Sequence, residues 1–257
     1  MTDGLHLDWL LAAAVFTGAR VSGLMVFCPF LGSDAVPAPV KAGLALLLTV
    51  LLHPLHGPAE LALGPWRWGQ VALGEMAVGL LLGLVANFLF EAALLAGQIL
   101  GVQIGYSLAN VFNPDTNADT PVLSQFLQMA ALLIFLELDV HHWIVRALVR
   151  SFAYLPPGGA SLTRAAAAGL LHASGGILLA GVQIAAPSLV ATLVVDMALG
   201  FLGKASPQLP VLFIGLAVKN LVGLAVLMAA MAYWPRMFNQ QFLQAIETAE
   251  RLLHLAR

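Results

Sequence analysis

From Gly69 to Ala109 the chain runs for 41 residues with Glu75 and Glu91 as its only charged side chains. As one helix, at ~1.5 Å per residue, this segment would be ~60 Å long, about twice the ~30 Å hydrocarbon core of a bilayer. It must therefore either break, with Asn87 the natural place, or stand partly outside the lipid. The rest of the chain has the same character. Of its 257 residues 60% are hydrophobic and 9% charged, against roughly a quarter charged in a soluble domain. The composition is that of an all-α membrane-class protein. A net charge of -2 with 11 Lys and Arg excludes the basic field that nucleic-acid binding needs. The single cysteine, Cys28 in VFCPF, cannot form an internal disulfide and reads as a small buried hydrophobe.

The other apolar runs divide at turn residues. Trp9 to Leu31 has Arg20 as its only basic residue and is long enough to cross a bilayer. The leading MTDGLHLD lacks the basic n-region and cleavage site of a secretory signal, so this run is expected to be retained. Pro29, Gly32 and Pro37 then punctuate the chain, and Ser33 or Asp34 is placed to cap a short helix over Pro37 to Leu52. His53 to Arg67 reads as a loop, Val122 to Leu138 as a further apolar helix, and PPGG at Pro156 to Gly159 as a turn. Ala165 to Gly203 contains Pro187, which removes a backbone donor and clashes with the preceding turn. That predicts two helices or one strongly kinked helix. Val211 to Trp234 is the last apolar run, and it carries Lys219. In the tail, residues 236–257, Phe238, Phe242, Ile246, Ala249 and Leu253 share one helical face opposed by Gln, Glu and Arg, as in an amphipathic interfacial helix.

Four features carry functional meaning. The first is the polar stretch GYSLANVFNPDTNADTP, Gly105 to Pro121, with a turn signal at Asn113-Pro114-Asp115. Taken by itself it reads as a surface loop; non-helical backbone is tolerated at membrane depth only where protein covers it or it lines a watery cavity. The second is a ladder: Glu75, Gly79, Gly83, Asn87 and Glu91 recur every four residues, and Gly97, Gly101 and Gly105 continue the interval out of phase. Such spacing puts small residues on one helix face, where another backbone can approach closely, whether from this chain or from another subunit.

The third is the set of ionisable groups in or beside apolar runs: Arg20, Lys41, Glu75, Glu91, Asp196 and Lys219. Unpaired charges there cost several kcal/mol, so these groups pair, protonate or face water. Inter-helix ion pairs are the simpler reading; a proton or substrate path is the alternative. Two of the acids open a short echo, EMAVGLLLG at Glu75 and DMALGFLGK at Asp196, a weak internal repeat. The fourth is Asp139, His141 and His142. Adjacent helical histidines point about 100° apart, and no HExxH or cysteine cluster accompanies them, which argues against a metal. No phosphate loop, nucleophile elbow or dinucleotide fingerprint is present. A secondary transporter acting alone, built on buried charges and broken helices, and an intramembrane hydrolase using Asp139, His141 and Asp196 are the competing functional classes.

The order of these features resembles the FliR/SctT family of type III export-gate proteins. The similar text is RVSGLMVFCPFLGSDAVPAPVKAGLALLL (Arg20 to Leu48), GEMAVGLLLG (Gly74 to Gly83), AGQILGVQIGYSLANVFNPDTNADTPVLSQFL (Ala96 to Leu127), DVHHWIVRALVRSFAYLPPG, and PSLVATLVVDMALGFLGKASPQLPVLFIGLAVKNLVGL. QIGYSLANVFNP, the paired histidines and SFAYLP look flagellar rather than injectisome-like. One departure is Val140, where flagellar relatives usually carry glycine. The resemblance covers nearly the whole chain and implies one domain, 1–257, of long helical hairpins with broken helices. It further implies a non-enzymatic, cofactor-free subunit that assembles with FliP and FliQ into a helical export gate, with FlhB alongside. The gate would pass unfolded flagellar proteins through the bacterial inner membrane at the basal body. By that resemblance Asn110, Asn113, Pro114, Asp115, Asn117, Asp119 and Pro121 belong to the plug of the closed pore. Arg236, Arg251 and Arg257 in the tail, with no Lys or Arg in residues 1–8, suggest an N-out, C-in orientation.

Overall fold

The computed structural model describes residues 3–29, 32, 36–53, 65–105, 122–156, 159, 164–206, 208 and 210–255. Among these residues every regular element is a helix: α1 (Asp3–Phe27), α2 (Ala38–Leu52), α3 (Pro65–Ile104), α4 (Val122–Glu137), α5 (Val140–Tyr154), α6 (Arg164–Ala205), α7 (Val211–Met231) and α8 (Trp234–Leu255). Three of them are long and apolar enough to cross a membrane, over Trp66–Ile104, Leu171–Ala205 and Phe213–Met231, and α4 with α5 makes a fourth if counted as one broken span. The protein is an all-α membrane protein.

The punctuation acts nearly as its chemistry dictates. α1 stops at Phe27, four residues before the apolar run does, because Pro29 has no N–H and disfavours helical geometry at the residue before it. Pro37, rather than Ser33 or Asp34, occupies the position before α2, with the N–H groups of Val40 and Lys41 on its carbonyl. α3 does not break at Asn87: it is one helix of 40 residues. Nor does Pro187 divide α6, which continues through it for 42 residues. A proline removes one backbone hydrogen bond, a loss that a long helix packed by its other side chains absorbs.

The chain forms two compact units. The first comprises Met1–Phe88, Asp139–Ser174 and Gln241–Arg257, the second Leu89–Leu138 and Gly175–Gln240. In the first, Phe16, Val21, Leu24, Val78, Leu82 and Leu148 are buried, and the Phe16 and Trp68 rings meet at a tilt with centroids 5.0 Å apart. α5, α8 and the middle of α3 line a small apolar cavity with Val85, Val140, Ile144, Phe242 and Ala249 among its walls. Phe242 and Ala249 of α8 are buried while Glu247 and Arg251 are exposed, so the amphipathic face of this part of the tail packs inward. In the second unit the α3 side is built from Ala92, Ala93, Ala96 and Leu100, and Phe90 meets Phe135 edge-on at 5.5 Å. Large apolar side chains remain exposed on α6 and α7, including Leu193, Val194, Phe201, Phe213, Leu221 and Met228.

Candidate functional site

Arg20 is the most completely enclosed charge among the described residues: it and Glu75 are fully buried. Its Nε donates to Glu75 Oε2 at 2.7 Å, Nη1 to Ser151 Oγ at 2.9 Å and Nη2 to the Leu155 carbonyl at 2.9 Å. The guanidinium also lies over the Phe152 ring, 4.1 Å from its centroid. The planar fork of arginine suits this arrangement, because three nitrogens leave the group in fixed directions and meet acceptors on α3, on α5 and just beyond α5. Ser151 passes the hydrogen bond on, donating to the Leu148 carbonyl at 2.6 Å. Nothing in this cluster is poised for proton transfer or nucleophilic attack. It is a clamp that ties α1 to two other helices of the first unit.

The ladder makes the clamp reachable. A Cβ added at Gly79 would collide with the Arg20 carbonyl and come within 2.8 Å of the Leu24 N; one at Gly83 would meet the Leu24 carbonyl, and one at Gly23 the Met76 carbonyl. α1 and α3 therefore run backbone against backbone, glycine facing helix on both sides. In the second unit Gly97 stands against the backbone of Ser124 on α4 in the same manner. Gly101 is buried. Gly105 does something else, ending α3 at φ 95° with its N–H on the Val102 carbonyl at 3.2 Å.

The remaining charges are less enclosed. Lys219 Nζ lies 2.9 Å from Asp196 Oδ2, which also accepts from Gln103 Nε2 at 3.2 Å, joining α7, α6 and the end of α3 within the second unit. Lys41 Nζ donates to the Gly32 carbonyl at 3.2 Å, and Glu91 is half-buried on α3. The Asp196–Lys219 pair is partly exposed, with side chains 42% and 19% accessible, so its strength is limited by solvent. A double-mutant cycle with Asp196→Asn and Lys219→Met is expected to give a coupling of about 0.5–1 kcal/mol, read from unfolding of the chain in detergent; zero coupling would mean that the pair contributes nothing.

Comparison with known proteins assigns this architecture. Residues 11–245 match the family model of bacterial export proteins, family 1. The chain belongs to the FliR family of bacterial export proteins. It is 34% identical over 212 residues to the flagellar biosynthetic protein FliR of Escherichia coli K12, covering 82% of this chain and 81% of that protein. The Bacillus subtilis 168 FliR is 30% identical over 96% of each chain, and the Caulobacter vibrioides FliR is 31% identical over 84% of this chain and 86% of its own.

Within this FliR-family chain, the plug residues read from the sequence, Asn110, Asn113, Pro114, Asp115, Asn117, Asp119 and Pro121, lie outside the described residues. Arg20 and Glu75, both singled out by sequence, meet, as do Asp196 and Lys219. Ser151, Phe152 and the Leu155 carbonyl were not legible as partners of Arg20: they lie more than 130 positions away along the chain, and nothing local marks a serine on an amphipathic helix as an arginine acceptor. Among the proposed hydrolase residues, Asp196 is engaged with Lys219 and Gln103, and Asp139 with His141 and His142. These last three are the group among the described residues whose ligating atoms are drawn together as a metal would require.

Proposed function

We propose that this chain is a structural and gating subunit of the flagellar type III export gate, forming with FliP and FliQ, and with FlhB alongside, the pore that passes unfolded flagellar proteins across the bacterial inner membrane. The observation that carries the reading is the match to an export family over residues 11–245. The helices agree with it physically. At 40 and 42 residues α3 and α6 are each ~60 Å long, about twice the hydrocarbon thickness. Helices of that length with uncovered apolar side chains suit a subunit whose surface other subunits complete. Its own contribution is mechanical: buried clamps hold the helices, and the polar segment Asn110 to Pro121 stoppers the closed pore.

Two experiments test it. The complex recovered through this chain is expected to have the mass of one copy with several FliP and FliQ copies; a stable monomer or a symmetric homo-oligomer would instead favour a solitary transporter. Deleting Asn113 to Asp119 is expected to raise small-ion leakage across cells that express the whole gate, and an unchanged leak would remove the plug assignment.

A further inference from the structure

We propose that Asp139, His141 and His142 form a binding site for one divalent transition-metal ion of the zinc class. In a regular helix neighbouring side chains diverge by about 100°, yet here the ligating atoms of all three residues lie within 4.8 Å of one another. Asp139 Oδ1 is 3.4 Å from His142 Nδ1 and 3.8 Å from His141 Nε2, and the two imidazole centroids are 4.2 Å apart.

The local backbone explains the convergence. Asp139 is the one non-glycine with positive φ among the described residues, at φ 53° and ψ 28°, directly before α5. An aspartate in that position ordinarily caps the helix by accepting from a first-turn amide. Here its side chain makes no cap hydrogen bond and its carboxylate faces the imidazoles instead. Val140, next in sequence, is buried, which anchors the first turn from the other side.

The donor set and its spacing fit the ion. Zinc takes imidazole nitrogen at ~2.0–2.1 Å and carboxylate oxygen at ~2.0–2.2 Å in a tetrahedron, which places neighbouring donors roughly 3.3–3.5 Å apart by that geometry. Of the three donor pairs, Asp139 with His142 already stands at 3.4 Å, Asp139 with His141 at 3.8 Å needs only a few tenths of an ångström, and the two histidine donors lie within 4.8 Å of each other. Imidazole with carboxylate selects zinc, copper or nickel over calcium and magnesium. The side chains are 44–69% exposed, so an ion can enter and water can complete its shell. Arg146, the cation one turn further on, is drawn over the Trp143 ring at 5.5 Å. A bound ion would tie the left-handed corner at Asp139 to the first turn of α5.

The test uses the full chain purified in detergent with a tag free of histidine, titrated with Co2+ as a visible-absorption probe and then with Zn2+. One Co2+ per chain is expected to bind and to be displaced by Zn2+. Asp139→Asn, which keeps a residue tolerant of positive φ, and His142→Ala should each weaken binding at least about tenfold. His172→Ala, an exposed histidine on α6, should leave it unchanged. Absence of saturable binding at one ion per chain, or equal binding by the wild type and folded Asp139→Asn, would overturn the site.

Discussion

Arg20→Ala is expected to lower the stability of the chain by ~3–5 kcal/mol, the usual cost of removing one partner from a buried ion pair. The substitution leaves the Glu75 carboxylate fully buried without its cation and takes donors from Ser151 Oγ and the Leu155 carbonyl. Arg20→Lys should recover little. One ammonium on a flexible stem cannot direct protons to acceptors on α3, on α5 and beyond α5 at once while also lying over the Phe152 ring as the guanidinium does. The pair Arg20→Met with Glu75→Leu should be markedly more stable than either single change, since apolar replacements of both charges abolish the desolvation penalty along with the attraction. Denaturant unfolding in detergent followed by far-UV circular dichroism separates these outcomes. A loss below about 1 kcal/mol for Arg20→Ala, the range of a surface ion pair, would show that the clamp is not a structural tie. In cells the same variant should deplete the protein before it affects export in any other way, because a chain that opens at α1 exposes apolar helix faces to aggregation and proteolysis.

How far such effects could be foreseen from the sequence differs from residue to residue. α1 stops at Phe27 rather than Leu31, and Gly105, read as a rung of the packing ladder, ends α3, yet the helical class followed from the apolar runs alone. Continuity did not: Asn87 and Pro187 were natural breaking points, and both α3 and α6 run through, because tertiary packing outweighs one weak helix former or one lost hydrogen bond. That Arg20 and Glu75 needed partners was legible from their burial in apolar text, but which partners was not, since each pairing is a long-range contact without a local signature. The echo shows the same division. Glu75 and Asp196 each accept from a basic residue. The glycines four residues on part ways: Gly79 is filled by α1, whereas a Cβ at Gly200 would meet nothing within 4 Å among the described residues. Repeated text thus preserved the electrostatic role and lost the packing one. The polar segment Asn110 to Pro121 was the clearest functional signal in the sequence, and it owes its reading to family resemblance, because turn-forming residues specify a loop without specifying what the loop faces.

The contrast between Gly79 and Gly200 gives the second large prediction. Gly79→Ala gains at most ~1 kcal/mol of helix propensity, while its new methyl would occupy the space of the Arg20 carbonyl and press on the Leu24 N at 2.8 Å. Both obstacles are backbone and cannot rotate away. α1 and α3 must separate, and the loss should reach or exceed the ~1–3 kcal/mol of ordinary overpacking. Separation also lengthens the Arg20–Glu75 contact, so Gly79→Ala and Arg20→Ala should be strongly non-additive. Gly97→Ala, against the Ser124 backbone, should behave alike through α3 and α4. Gly200→Ala is the matched control on α6: with open space around it the isolated chain should be unchanged or slightly more stable, by up to ~1 kcal/mol. Unfolding of the three variants in detergent tests the ladder, and equal stability of Gly79→Ala and Gly200→Ala would refute close backbone contact. Motility then separates two surfaces of one protein. Gly79→Ala should abolish it by unfolding the subunit, whereas loss of motility from a stable Gly200→Ala chain would mean that a neighbouring subunit's backbone takes, at Gly200, the place that α1 takes at Gly79.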